Sequence, residues 1–449
     1  MANKKSMNQI YRLSFSFIFI QLFFSCQSEP VKNTAPNSNA AIDSTQTNQT
    51  VELLPDSLQS LKLIFIGDIM QHGDQIRSAF DPASGLFDYE PCFRYIRPIL
   101  EQADLAIGNL ELTLNDKNYY SGFPRFRSPD ALAGYLKQAG FDVLVTSNNH
   151  SNDNDRHGVV HTLDVLDSLG IVHTGTFRDT AEWENNYPLI MEKSNGQTNF
   201  KLALLNYTYA TNGIPTKKPS VVNEIVESQI LKDIEKAKRS NPDMIIAFMH
   251  WGGEYQLNEA KSQRDLARLL WDNGVDLVIG AHPHVIQPIK TDTLYNADSS
   301  ASRPVLAAYS LGNFISNQFR PNTDIGLLFE IEIIKNTRSG KTTIGQHAFI
   351  PSWRYIHNYN KKPVADWVHT LIPVSAFIKD TSNFLKMPSH DFNKMKTVYE
   401  KTCAHLEKWQ GKERKISFEE IYSKIGASPD SVITKLPKVD NPFVAKVLK

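Results

Sequence analysis

Eight side chains able to bind metals or move protons stand in succession just past apolar runs: Asp68, Asn109, Glu111, Asn149, His150, His250, His282 and His284. Glycines stand close by at Gly67, Gly108, Gly252 and Gly280. Carboxylate, amide oxygen and imidazole together suit zinc, manganese or iron better than calcium. One ion needs three protein ligands and an open position. Two ions about 3.5–4 Å apart would clamp both the attacking and the leaving oxygen of a displacement. The eight residues supply ligands enough for either. His282-Pro283-His284 is the sharpest signal, because the proline fixes the relative direction of two imidazoles. Taken singly, the others have ordinary uses: an aspartate after glycine caps a helix or forms a turn, the asparagines can hold loop backbone, and His150 alone is a common histidine. Independent structural needs would not place so many ligands at successive strand ends, and the joint pattern favours a metal centre.

Such residues need elements that bring them together. Asp243 to Gln287 reads as strand, loop, helix, strand, loop. The runs Met244–Met249 and Val275–Ile279 have the length and continuous apolarity of buried parallel strands. Between them Leu266, Leu269 and Leu270 follow helical spacing, with Asn273-Gly274 as a stop. His250 then ends the first strand, and His282 and His284 follow the second. Ligand sites in open α/β sheets lie outside the carboxyl ends of strands. Upstream, LKLIFIGDIM from Leu61, ADLAIGNLELTL (Ala103–Leu114) and FDVLVTSNNHSND (Phe141–Asp153) are three more strands. They run into Asp68, into Asn109 and Glu111, and into Asn149 and His150. Helices are predicted over 158–170 and 222–239, and short strands near Ile171 and over 201–206. Runs over 304–313 and 326–334 read as later strands of a second sheet. The alternation indicates an α/β domain of roughly 300 residues.

The ends of the chain differ from this middle. Lys4, Lys5 and Arg12, with no acid, precede the apolar run Leu13–Phe24, so residues 1–25 read as a secretory signal too short to span a bilayer. Ser25-Cys26 resembles a lipoprotein cleavage box, with Cys26 as the lipidated residue. Residues 26–58, rich in Ser, Asn, Thr, Gln and Pro, read as a flexible tether. The folded domain is placed at 59–374. A helical extension is placed at 375–449, with Phe392, Met395, Val398 and Leu406 as a partial stripe. Lys+Arg and Asp+Glu are both 48, and no basic cluster is interleaved with aromatics, so nucleic acid is not an expected partner. Three cysteines, Cys26, Cys92 and Cys403, are too few for a disulfide framework or a zinc-thiolate site.

Six stretches carry a family likeness: Gly67-Asp68, Gly108-Asn109-Leu110-Glu111, Ser147-Asn148-Asn149-His150, His250 to Tyr255, Gly280 to Gln287, and Ser310-Leu311-Gly312-Asn313-Phe314. In this order they resemble the CapA-type poly-γ-glutamate capsule biosynthesis family, which is similar to calcineurin-like metallophosphoesterases. The resemblance implies a four-layer α-β-β-α sandwich with a divalent transition metal centre of one or two ions (Mn, Fe or Zn). By it, Asp68, Asn149, His250, His282 and His284 stand at metal-ligand positions, Asn109 or Glu111 at the bridging position, and His150 at that of the acid that protonates a leaving group. Met70 occupies the place of a further histidine ligand. Arg125 and Arg127, in SGFPRFRSP, are candidates to hold a carboxylate or phosphate; Trp251, Glu254 and Tyr255 are candidate walls of the substrate site. The expected function is synthesis, export or anchoring of poly-γ-glutamate or a similar polymer, by a metal-dependent hydrolase of phosphoester or amide bonds. This places the protein in the bacterial cell envelope, lipid-anchored and facing outside the cytoplasm, with an anionic polymer and membrane components of a capsule complex as partners. The alternative is a non-catalytic assembly component of an export complex.

Overall fold

Leu58–Ile69 is almost wholly buried from Leu61 onward, and its backbone needs partners on both edges. This strand, β1, is the middle of a sheet of eight. The computed structural model describes residues 57–117, 119–295, 302–359, 363–379, 385–409 and 411–425. The signal segment, Cys26 and nearly all of the tether lie outside the described residues, as does 426–449; Leu58 already belongs to β1.

β2 (Leu105–Leu110), β3 (Val143–Val145) and β4 (Val172–Thr174) extend β1 in parallel, with helices α1 (Ala131–Ala139) and α2 (Asp155–Ser168) in the connections. A second sheet follows: β5 (Leu189–Ser194), β6 (Asn199–Thr208), β7 (Met244–His250), β8 (Leu277–Ala281), β9 (Ile289–Tyr295) and β10 (Ser302–Ala308), in the order β5-β6-β7-β8-β10-β9. Its four inner strands are parallel and its two edges antiparallel. Helices α3 (Glu227–Arg239) and α4 (Lys261–Asp272) are its crossovers. The chain then returns to the first sheet. β11 (Asn313–Ile315) pairs with the end of β1, and β12 (Ile325–Asn336), β13 (Thr342–His357) and β14 (Val368–Pro373) complete the order β14-β13-β12-β1-β2-β3-β4.

Side-chain alternation sets the layers. On β6 and β7, Leu202, Leu204, Ile246 and Phe248 join one core with Leu63, Phe65 and Phe329 of the first sheet. The alternate residues Ala203, Leu205, Ile245 and Ala247 join a second core with Ile230 and Ile234 of α3 and Leu270 and Trp271 of α4. Two sheets therefore face each other, α3 and α4 cover the outside of the second, and Leu132, Leu136 and Leu166 of α1 and α2 pack on the first. This is an α-β-β-α sandwich.

Two expectations are corrected. The run 326–334 lies in the first sheet, not the second: β12 pairs antiparallel with β1 from Leu58↔Asn336 to Ile66↔Leu328. The free edge of β1 supplies a long row of backbone partners that sequence neighbourhood does not reveal. The predicted helix over 222–239 begins at Glu227, because Val221–Val222 pair with Phe177 and Thr176, as β-branched residues favour.

Helices α5 (Ser389–Glu407) and α6 (Phe418–Ile425) pack onto the same domain. Met395, Leu406, Ile416 and Ile421 join the main core, with Phe392 and Val398 packed against it. Among the described residues no helix is long and apolar enough to cross a membrane.

Candidate metal centre

Asp68 reaches the centre through a bulge. Ile66 pairs with Gly108 and Asp68 with Asn109, so Gly67 is the extra residue that turns the aspartate. A Cβ at Gly67 would lie 2.0 Å from the carbonyl oxygen of Gly312, and only glycine permits that approach. Asp68, fully buried, accepts from the Asn109 side-chain amide at 2.9 Å and from the His282 backbone N–H at 3.2 Å. His284 Nδ1 lies 3.1 Å from its other oxygen. Burial alone would raise the Asp68 pKa; the hydrogen bond from His284, the nearness of that ring and the hydrogen bond from Asn109 hold it well below the usual carboxylate range.

His282 and His284 follow the end of β8 with φ of 96° and 60°. Such left-handed conformations cost of order 1–3 kcal/mol each in a residue with a Cβ and cluster at functional sites. Burial pushes the His282 pKa down to about 3, with His284 adding to it. Burial, with His282 beside it, also drives His250 well below its ordinary value. For His250 and His282 these shifts favour the neutral imidazole, the form that binds metals.

Glu111 stands among them. It is fully buried, and neither carboxylate oxygen has a hydrogen-bond partner among the described residues. One oxygen lies 3.6 Å from His250 Nε2 and 3.9 Å from His284 Nε2. Burial first, and then the Asp68 charge, pushes its pKa well up. Two groups of ligand atoms, each within 4.8 Å of one another, meet here: Glu111, His250 and His282, and Asp68, Glu111 and His284. Glu111 belongs to both. A buried carboxylate with both oxygens unsatisfied is costly unless a cation completes it, and the donor set fits one or two divalent ions. The Nδ1 of His282 is likewise unpartnered.

Asn149 joins the His250 side, its amide oxygen 2.8 Å from His250 Nε2. Asn109 does not take the ligand role expected of it. Its NH₂ faces Asp68 and, at 3.3 Å, His250 Nδ1, while its oxygen faces the Asn148 amide at 3.4 Å. An amide NH₂ cannot ligate a cation, so Asn109 is a tie between ligands, and Glu111 is the shared carboxylate. Met70, 2% exposed, packs in the core.

His150 sits in the next loop position. Asp153 Oδ2 lies 2.7 Å from its Nδ1, and the ring abuts Phe126, centroids 4.5 Å apart. The pair with Asp153 fixes the tautomer and leaves Nε2 as the ring nitrogen outside it. Arg125 and Arg127 hold this loop: Arg125 Nε donates to the Asp153 carbonyl at 2.6 Å, and Arg127 Nε to Asn154 at 3.1 Å. Their Nε hydrogen bonds thus brace the loop that carries His150.

The loop after β7 splits by residue. Trp251 is not a wall of the site. It is 2% exposed, stacks on Tyr309 and donates to the Tyr309 carbonyl, within the helix-side core. Tyr255 does flank the centre, its ring 6.0 Å from that of His284. Glu254 is exposed, and its charge raises the pKa of both Glu111 and Tyr255.

Four neighbours were not anticipated. Asp153 and Asn313 fall inside the stretches read as strand ends, but nothing local marks their partners; Asn313 Oδ1 lies 3.1 Å from His284 Nδ1. Tyr209, its ring 4.6 Å from that of His282, follows the end of β6 as the ligands follow their strands. His72, largely buried, is perturbed by the charges of His284 and His150, after burial, which lowers its pKa to about 4.

The geometry stands beside a family match. Residues 62–318 match the family described as bacterial capsule synthesis protein PGA_cap. The chain belongs to this family. It is 27% identical over 290 residues to the capsule biosynthesis protein CapA of Bacillus anthracis, covering 62% of this chain and 65% of that protein. It is 29% identical over 282 residues to the PGA biosynthesis protein CapA of Bacillus subtilis (strain 168), covering 62% and 68%. The chain thus spans less than two thirds of the first relative's length. Among solved structures, Haemophilus influenzae NAD nucleotidase is similar at TM-score 0.42 and 10% identity, covering 83% of this chain and 60% of that one, a likeness too slight to argue from. The PGA_cap match takes in every candidate ligand from Asp68 to His284.

Proposed function

We propose that this PGA_cap protein is a metal-dependent hydrolase of the metallophosphoesterase type. It acts in the synthesis, export or anchoring of poly-γ-glutamate or a similar anionic envelope polymer. The observation that carries the reading is Glu111, a fully buried carboxylate with both oxygens unpartnered and shared by two ligand groups. Asp68, Glu111 and His284 would hold one ion, and Glu111, Asn149, His250 and His282 a second, of Mn, Fe or Zn. When bound, such ions supply Lewis acidity and acidify water. The chain's own residues do the rest. Asn109 ties Asp68 to the His250 side, and Asp153 accepts from His150 Nδ1–H and so favours the imidazolium form, whose Nε2–H would protonate the leaving group. Arg125 and Arg127 fix the loop that presents it.

Metal analysis of the purified protein, with hydrolysis assays on phosphoesters and γ-glutamyl peptides, tests this. We expect about one or two transition-metal ions per chain and loss of metal and activity in His282→Ala. A protein that binds none, or whose activity survives that change, refutes the reading. Met70, buried in place of a histidine ligand, favours the second reading, a non-catalytic assembly component. Bound metal without hydrolysis of either substrate class would select it. Anchoring through lipidated Cys26, facing outside the cytoplasm, belongs to the same proposal. Cys26→Ser should abolish lipid labelling, and persistence of label would overturn that part.

A further inference from the structure

Two further arginines near the centre, Arg354 and Arg320, have no ion-pair partner among the described residues. Arg354, near the end of β13, is 6% exposed. One of its terminal nitrogens donates to the Gln318 carbonyl at 2.7 Å, and its buried Nε has no partner. The carboxylate whose charge most favours its cation is that of Asp324, which is paired with Lys394 at 2.7 Å. Burial draws the guanidinium pKa down to about 10. An arginine stays charged throughout the physiological range, so this is a buried cation with no ion pair of its own among the described residues, an arrangement that an anion would relieve.

Contacts connect Arg354 to the metal centre. His284 Nδ1 meets Asn313 at 3.1 Å, and the Asn313 amide donates to Gln318 Oε1 at 2.9 Å; the carbonyl of that same Gln318 holds Arg354. The loop between β11 and β12 continues through Phe319 and Arg320. Phe319 is 55% exposed, its ring 5.1 Å from the Arg354 guanidinium carbon. Arg320, exposed, stacks over Tyr255 at 4.6 Å, and Tyr255 borders His284. Two guanidinium groups without an ion pair among the described residues thus lie on the His284 side of the centre, one buried and one at the surface. Arg354 lies beyond residues 62–318 of the family match.

We infer that Arg320 and Arg354 form an anion subsite, which holds a carboxylate or phosphate of the substrate adjacent to the group that reacts at the centre. The placement next to a reacting group rests on the hydrolase reading; the anion site itself does not. Guanidinium forks bind both planar carboxylates and phosphates, and the exposed Phe319 ring with the half-buried Tyr255 ring gives such a substrate an apolar floor.

The test is calorimetric titration of the full chain in detergent with glutarate and, separately, inorganic phosphate. Each is run on chelator-treated and on Mn²⁺-loaded protein. Arg320→Gln and Arg354→Met should each weaken the preferred anion roughly ten- to hundredfold, the loss of one charge-assisted contact, with Mn²⁺ affinity unchanged. Arg338→Gln, in the β12–β13 turn, should have no effect. Tighter glutarate binding identifies a carboxylate, and tighter phosphate a phosphoryl group. Anion affinities unchanged in both variants, or no anion bound by the unaltered protein, overturn the inference. If the buried Arg354→Met fails to fold, Arg320→Gln decides. Failure to bind Mn²⁺ refutes the metal reading instead, while titration of the chelator-treated protein still judges the arginines.

Discussion

Replacing Glu111 with glutamine separates two effects that the buried carboxylate combines. Its folded pKa is raised, by burial and by Asp68. Its contribution to stability is therefore fully present below its unfolded value and is lost as pH rises through the folded one. Without metal, at a pH above its unfolded value, the buried carboxyl is a liability, and Glu111→Gln should stabilise the chelator-treated protein by about 1–3 kcal/mol. The same change should remove the rise in melting temperature on adding Mn²⁺. Thermal denaturation with and without metal checks both, and a variant that keeps its metal-induced rise would exclude Glu111 as a ligand. Asp153 acts through His150 and is a positioning residue. Asp153→Asn should lower kcat by roughly 10²-fold for substrates with poor leaving groups, spare an activated p-nitrophenyl ester, and leave metal content unchanged. Equal loss on both substrates would indicate a merely structural role.

Among the elements, the junction of β8 with the His282 turn is the least forgiving. Gly280 pairs with Met249 of β7, and a Cβ there would lie 1.9 Å from the Tyr309 carbonyl oxygen and 2.7 Å from Trp251 Nε1. Backbone and a packed indole cannot yield as a flexible side chain would. Gly280→Ala should cost about 1–3 kcal/mol. It should also weaken metal binding, because the displaced strand end carries His282 and His284. Denaturant unfolding and metal titration of the variant report the two effects; native stability with native metal affinity would show that the close approach is not needed. The β1 bulge at Gly67 and this junction place Asp68 and the two histidines from different sheets against one another.

At the scale of the whole molecule, β13 and β14 of the first sheet bury two histidines that are not among the candidate ligands. Burial lowers the His357 pKa to about 4 and that of His369 to about 3. For a histidine depressed in the folded state, stability is full above its unfolded value of about 6.5 and falls away as pH drops toward the folded one. The protein should lose stability steadily between pH 6.5 and 4. His357→Gln should flatten that slope, by up to about 3 kcal/mol at pH 4. Chemical denaturation across the range measures it, and an unchanged slope would mean that His357 takes up protons without unfolding. The extension follows the same logic of burial: Met395 and Leu406 face the core because their neighbours on α5 are polar.

The local pattern by itself determined the alternation of strands and helices, the placing of ligands at strand ends, and the identity of most of the centre. Apolar runs that end in Gly, Asp, Asn or His carry their own signal, since a buried strand must stop where the chain turns back to solvent. Only the tertiary structure decided which side chain stands between both ligand groups, because Asn109 and Glu111 are two residues apart and the direction of each depends on Asp68 and His250 from other strands. It also moved Trp251 into the helix-side core, turned Arg125 and Arg127 toward the His150 loop, and brought Arg354 and Arg320 to the His284 side. Contacts such as His284 to Asn313 and Gln318 to Arg354 join residues distant along the chain, and no local spacing encodes them.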